Sequence, residues 1–324
     1  PLMYKTNGGV LKTVHVVDGL NTPSLWEEQY ASAPDPALNL PRLWRYVEGK
    51  GWTWGAEDPL NPDARKIRGI FFKDSRGADL GTFLPLGEKA KIDVRVHNFS
   101  LADCRGPFNV RFLFGPKGGA LKDATEIGTA SMASPISKWG VPTDPNWKWA
   151  SVVWDTGAMN VGEGYYRIWV VVNPDGAVPE LAKRGYGEAF DNNVGWYDVT
   201  VGRTRAAVEA ELASEGRTAD LETNNLVAVK LEVENRPEDG VAFKPGEEVL
   251  LRATLRNEGE LPVGQISLFF YYDGDPDRGG RPFANRIVPG LLAHDAQWVV
   301  QPHEFDTPGS RVVYVRIVPK SDDP

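Results

Sequence analysis

One cysteine, Cys104, is all that 324 residues carry, so no disulfide closes within the chain and stability must come from packing. Free cysteine is usually a small buried side chain, which is the expectation here, with an intermolecular bridge as the alternative. Histidine is also scarce: His15, His97, His294 and His303 are scattered, with neither HExxH spacing nor cysteines to complete a zinc set. No GxSxG elbow, phosphate-cradling P-loop or GxGxxG ahead of a helix occurs, so nucleophile and nucleotide signatures are missing. No apolar run approaches the ~20 residues needed to span a bilayer. The balance of 36 Lys and Arg against 44 Asp and Glu lacks the basic excess that binding to nucleic acid requires. The sequence opens at Pro1, and any signal peptide or anchor is expected to lie outside it.

What is present is turn-forming and aromatic. The 34 glycines and 25 prolines suit many short strands joined by many turns, while 41% apolar and 25% charged residues are normal for a folded chain. The length suits two ordinary cores.

Residues 1–64 read as a Trp- and Pro-rich arm or partial domain holding Trp26, Trp44, Trp52 and Trp54. Its clearest strand is VLKTVHVV (Val10–Val17). Ser24 with Glu27 makes a capping box for a short helix reaching Tyr30. From residue 65 the hydrophobic period becomes two. Seven runs, Lys66–Phe72, Lys89–His97, Phe108–Phe114, Glu126–Ser131, Trp149–Trp154, Tyr165–Val172 and Gly195–Val201, give a first sandwich over 65–202. In the second run Ile92, Val94 and Val96 share an inward face, which sends Lys91, Asp93, Arg95 and His97 toward solvent.

RTRAAVEAELASEG (Arg203–Gly216) has helical period and a glycine stop, predicting a helical linker over 203–219. Six further runs then predict a second sandwich over 220–324: Leu226–Val233, Glu248–Arg256, Gln265–Tyr272, Asn285–Val288, Gln297–Gln301 and Val312–Val318.

Particular residues in the second series carry a family resemblance: Asp220-Leu221, LRATLRNEGELP (Leu251–Pro262), SLFFYYDGDPDRGG (Ser267–Gly280) and PGSRVVYVRIVP (Pro308–Pro319). It resembles the cell-adhesion-related bacterial domain, CARDB, an immunoglobulin-like sandwich of prokaryotic surface and secreted proteins. DVRVHNFSL (Asp93–Leu101), VVVNPDGAVPE (Val170–Glu180) and DNNVGW (Asp191–Trp196) make the first series look like a longer, diverged relative. The second series departs from the family pattern by ending at KSDDP without the closing Glu and Asp-Asn-Asn. The resemblance implies an all-β chain of tandem immunoglobulin-like, CARDB- or fibronectin-III-like sandwiches, prokaryotic and extracellular or at the cell surface. The expected role is non-catalytic: a structural or adhesive protein that self-associates or docks through sheet edges and the arm. The alternative is an accessory or carbohydrate-binding region of a larger secreted hydrolase.

Candidate contact residues come from the tryptophan surplus. Four lie in the arm and six in the first series (Trp139, Trp147, Trp149, Trp154, Trp169, Trp196), against Trp298 alone in the second. Trp154 is assigned to the core with Val152. The arm aromatics are expected to pack on the first sandwich, within one chain or between neighbours, with VLKTVHVV adding to a sheet edge. Alternatively, Trp147, Trp149 and Trp169 form a platform that stacks on polysaccharide. The expected partner is therefore protein, self or another surface component, with polysaccharide second and neither nucleic acid nor a membrane span.

No cofactor is expected, structural calcium being the one option left open. Asp273, Asp275 and Asp277 alternate as in a calcium loop, but Arg278 replaces the glycine and Ala284 the closing glutamate, which favours a plain hairpin turn. Asp191, with Glu180 and Glu188, is a comparable candidate. NFS at 98–100 fits a glycosylation sequon.

Overall fold

The computed structural model describes residues 2–5, 11–14, 34, 36–38, 44–47, 51–54, 66–67, 69–98, 100, 102–133, 135–138, 145–180, 193–217, 226–236 and 242–319. Among these the architecture is all-β with one α-helix.

The arm contributes strands β1 (Leu2–Lys5), β2 (Leu11–Val14), β3 (Pro36–Leu38), β4 (Trp44–Val47) and β5 (Gly51–Trp54). β1 pairs with β2 and β4 with β5, each as an antiparallel hairpin. The first sandwich follows as β6 (Ile70–Lys73), β7 (Phe83–Pro85), β8 (Lys89–Asn98), β9 (Phe108–Pro116), β10 (Thr125–Met132), β11 (Trp147–Asp155), β12 (Gly164–Val172) and β13 (Val194–Gly202). One sheet runs β10-β9-β12-β13-β7, and the facing sheet runs β11-β8-β3 with β6 also paired to β8. Helix α1 (Arg205–Ser214) leads to β14 (Leu226–Val233), β15 (Glu248–Asn257), β16 (Ile266–Tyr272), β17 (Ala284–Val288), β18 (Ala296–Glu304) and β19 (Val313–Pro319). These form two three-stranded sheets, β14-β15-β18 and β17-β16-β19.

Period-two patterning explains both cores. Ile92, Val94 and Val96 of β8 face Val110 and Phe112 of β9 and Ile168, Val170 and Val172 of β12, with Trp154 fully buried among them. Leu251, Ala253 and Leu255 of β15 meet Ile266, Leu268 and Phe270 of β16 in the same way. Burial of this kind contributes on the order of 25 cal/mol per Å² of apolar surface.

An asparagine clasp recurs in both sandwiches. Asn98 and Asn257 each end the strand that crosses the core, and both are 0% exposed. Asn98 Nδ2 donates to the carbonyls of Ala102 (2.8 Å) and Ile136 (3.3 Å), while Ser100 N–H donates to its Oδ1. Asn257 Nδ2 donates to Leu261 (2.7 Å) and Leu292 (3.1 Å), and Gly259 N–H donates to its Oδ1. A β-bridge follows in each case, Cys104 to Ile136 and Val263 to Leu291. The two domains therefore repeat one plan down to a single side chain.

Four local readings are corrected. The strand that joins the arm to the sandwich is Pro36–Leu38, buried and paired with Val96–Asn98; Leu11–Val14 of VLKTVHVV pairs with Leu2–Lys5 instead. A three-residue strand centred on alanine has too little periodicity to stand out from its prolines. His97 is buried rather than solvated, because β3 lies beside it in the sheet. The sequon asparagine is enclosed by the clasp, so Asn98 offers no amide for glycosylation. α1 is more than a spacer: Thr204 caps it, accepting from Ala207 N–H at 3.2 Å, and Val208 and Leu212 bury against Leu261 of the second sandwich. The helix proposed for 24–30 lies outside the described residues.

Candidate functional site

The outer face of β6, β8 and β11 gathers aromatic residues that the inner core does not need. Register places Trp149 opposite Arg95, Trp147 opposite His97 and Phe71 opposite Asp93. Alternation then sends all of these side chains outward together. Trp147 and Trp149 meet edge to face at 5.4 Å, and Trp149 meets Phe71 at 5.6 Å. The Arg95 guanidinium lies over all three rings, at 4.7 Å from Trp147, 5.0 Å from Trp149 and 5.8 Å from Phe71. Its Nε has no hydrogen-bond partner, consistent with a cation held by ring faces. Gly69 makes room: at φ 80° it is in left-handed backbone, and a β-carbon there would press on Arg95 Cδ at 3.3 Å.

Despite this packing the face stays open to solvent. Trp149 is 42% exposed and Phe71 38%, with Val153 further along the same face. Beside them Asp93 is buried, accepts from Ser151 Oγ at 2.6 Å and pairs with Lys73 (3.0 Å) and Lys91 (2.9 Å). Burial alone would raise the Asp93 pKa; the hydrogen bonds from Ser151, Lys91 and Lys73 and the charge of Lys91 outweigh it and hold the carboxyl below its usual value.

Trp169 does not join this group. It sits on the other sheet, opposite Trp196, and the two are only 9% and 8% exposed. Arg167 lies over Trp196 at 3.7 Å and is held bidentate by Asp198 at 2.7 and 3.1 Å. The three-tryptophan platform is therefore split between the two sheets. In the arm, Trp44 pairs in register with Trp54, and Trp52 with Tyr46. Trp26 and Trp139 lie outside the described residues.

The aspartates of DGDPDRGG serve different neighbours. Asp273 pairs with Arg311 at 2.7 Å and accepts from Val312 N–H. Asp275 caps the 3-10 turn Pro276–Arg278 through Asp277 N–H, and Asp277 lies 3.9 Å from Arg316. Asp191 and Glu188 lie outside the described residues, and Glu180 is bound by Asn173 and Asn193. Among the described residues no group of three or more His, Cys, Asp or Glu is placed to hold a metal. No described helix is long and apolar enough to cross a membrane.

Two features escaped the sequence reading. At the far end of the second sandwich Tyr272, Phe283, His303 and Phe305 cluster, with His303 at 4.1 Å from Phe283 and 4.5 Å from Phe305. Tyr272 is exposed there. These rings come from three separate segments, so only register could reveal them.

The second feature is the junction between sandwiches. Tyr165 Oη donates to Asp295 at 2.8 Å and accepts from Leu292 N–H at 3.2 Å. Thr82 Oγ1 donates to Pro289 O at 2.6 Å, and Lys117 Nζ to Gln297 at 2.7 Å. Burial, with Asp295 alongside, pushes the Tyr165 phenol above its ordinary pKa, so it remains a hydroxyl. A cleft of about 350 Å³ at this seam is lined by Glu163, Arg203, Glu260 and His294, where Glu163 already pairs with Arg203.

No protein-family model matches the chain, and no curated protein matches it. The chain is similar to CARDB domains. The crystal structure of the CARDB domain of a Pyrococcus furiosus protein, in complex with di-metal ions, is 19% identical, covering 41% of this chain and 90% of that one at a TM-score of 0.27. The solution structure of that domain covers 41% and 92% at 0.26. A transglutaminase from red sea bream is 10% identical, covering 85% of this chain and 32% of its own at 0.23. With overlaps this small, the immunoglobulin-like fold rests on the strand order and register described above.

Proposed function

We propose that this chain is a non-catalytic structural or adhesive protein of the prokaryotic cell exterior, and that it docks to protein partners through the face built by Phe71, Arg95, Trp147 and Trp149. The observation that carries this reading is the exposure of Trp149 and Phe71 around a guanidinium. Trp, Tyr, Phe and Arg are the residues that dominate protein interfaces, and a pre-packed cluster of them loses little side-chain entropy on binding. The junction supports the same role, because hydrogen bonds at Thr82, Lys117 and Tyr165 hold the two sandwiches as one stiff body. Such a role needs no cofactor.

A sugar-binding reading retains Trp149 as its one favourable feature. Its neighbours stand at interplanar angles of 76° and 73°, whereas stacking on a sugar chain asks for coplanar open ring faces. The test is adhesion by beads coated with the full chain, offered bacterial cell envelopes. Retention is expected to fall by about thirtyfold with Phe71→Ser or Trp149→Ser, the scale of one interface hot spot. Unchanged retention sinks the docking reading, and retention competed away by free polysaccharide favours the sugar.

A further inference from the structure

Charge is divided very unevenly along the chain. Residues 220–324 hold 11 Lys and Arg against 18 Asp and Glu, a net −7, which leaves −1 of the total −8 for residues 1–219. The docking face reverses the sign locally: Lys73, Lys89, Lys91 and Arg95 lie on it against Asp93 and Asp155. Lys73 and Lys91 share one carboxylate, and Arg95 is held by rings alone. An aromatic, cationic surface thus belongs to a chain whose other domain is strongly acidic.

Register shows where these surfaces sit. In the first sandwich the junction end holds Pro85, Gly202 and the start of β8, since Leu86 N–H bonds Gly202 O and a β-carbon on Gly202 would lie 2.9 Å from Leu292. Trp147 pairs with His97 near the opposite end of β8. In the second sandwich Asn257 and Leu292 mark the junction end, and Glu248 pairs with Glu304 at the other. Tyr272, Phe283, His303 and Phe305 lie at that far end, because Gly246 N–H bonds Phe305 O and Tyr272 pairs with Val313. Carboxylates flank this cluster, Glu304 and Asp306 near His303 and Glu247 beside Gly246, while Lys244 and Arg311 are the cations at the same end. The docking face, the outer flank of the first sandwich, is aromatic and cationic, and the far end of the second sandwich is aromatic and acidic.

We infer that the partner of the docking face is a second copy of this chain, with Phe71, Arg95, Trp147 and Trp149 of one copy seated on the Tyr272–His303–Phe305 pole of the next. This rests on the docking reading above and gives it an occupant. The two patches differ and lie on different sandwiches, so the contact is heterologous and repeats from copy to copy. Opposite charges flank the apolar centres of the two patches, so encounter is steered by electrostatics and held by ring burial.

Sedimentation velocity of the full chain, with and without variants, tests this. The native chain is expected to form species that lengthen with concentration and shorten with salt, since screening acts on exposed charges over about 10 Å at 0.1 M. Trp149→Ser (or Phe71→Ser) and the double variant Glu247→Lys with Glu304→Lys are each expected to weaken association by about thirtyfold. An equimolar mixture of a face variant with the pole variant is expected to give dimers and nothing larger, because each supplies one intact surface. A native chain that stays monomeric, or a mixture that does, overturns the inference. If Trp149→Ser still abolishes bead retention in that event, the docking reading survives without self-association; if retention is also unchanged, both fall.

Discussion

Single side chains decide whether the tandem plan holds, and Asn257 is the sharpest case. Its amide satisfies two carbonyls and its oxygen a third group, with the Asn257 side chain itself fully buried. Alanine there leaves buried acceptors and a donor without partners, at a cost of about 1–3 kcal/mol for each that water fails to reach. Denaturant unfolding of Asn257→Ala is expected to show a lower midpoint by at least that amount, and Asn98→Ala the same in the first sandwich. A loss below about 0.5 kcal/mol in both would remove the clasp as a stabilising device. Trp154, assigned to the core because it shares a face with Val152, is indeed buried; Trp169 was unreadable as buried, because its cover comes from Arg167 and a neighbouring strand.

Elements show why some of this was legible. Every strand run named in the two sandwiches has a counterpart of the same period, because alternation is a local property of the chain. β7 was missed: Phe83–Pro85 has three residues, and its parallel pairing with β13 leaves no local trace. The outward face of β8 was read as wet, yet Asp93 is buried there, because Phe71 and Lys73 of β6 and Ser151 of β11 close around it. The docking face was legible only as two tryptophans, since Phe71 and Arg95 join them through pairing distant in sequence. Asp93 carries a pH consequence. Its folded pKa is lowered, so the unfolded chain binds protons more readily, and its stabilisation is complete above the unfolded carboxylate value of about 3.9 and lost as pH falls through the lower folded one. Asp93→Asn is expected to flatten the acid limb of the stability profile below about pH 4 while destabilising at neutral pH, where Lys73 and Lys91 lose their shared partner. An acid limb identical to that of the native chain would contradict this.

At the scale of the whole molecule, two domains with separate cores ordinarily unfold independently, and the junction argues against that here. Tyr165, Thr82 and Lys117 cross the seam by hydrogen bonds, α1 buries Val208 and Leu212 against Leu261, and Gly202 is packed between Phe83 and Leu292. Each hydrogen bond contributes about 0.5–1.5 kcal/mol, and together with the apolar seam they approach the few kcal/mol that make one domain's unfolding expose the other. Calorimetry of the native chain is therefore expected to show a single transition. Gly202→Val places a branched side chain where a β-carbon already falls 2.9 Å from both Leu292 and Phe83, so it wedges the seam open, and Tyr165→Phe removes the hydroxyl that binds both Asp295 and Leu292. The double variant is expected to split the transition in two, with the second sandwich melting first because its core cluster of buried residues is the smaller. Two resolved transitions in the native chain would mean that the seam contacts do not couple the domains, and one stiff body would no longer describe them.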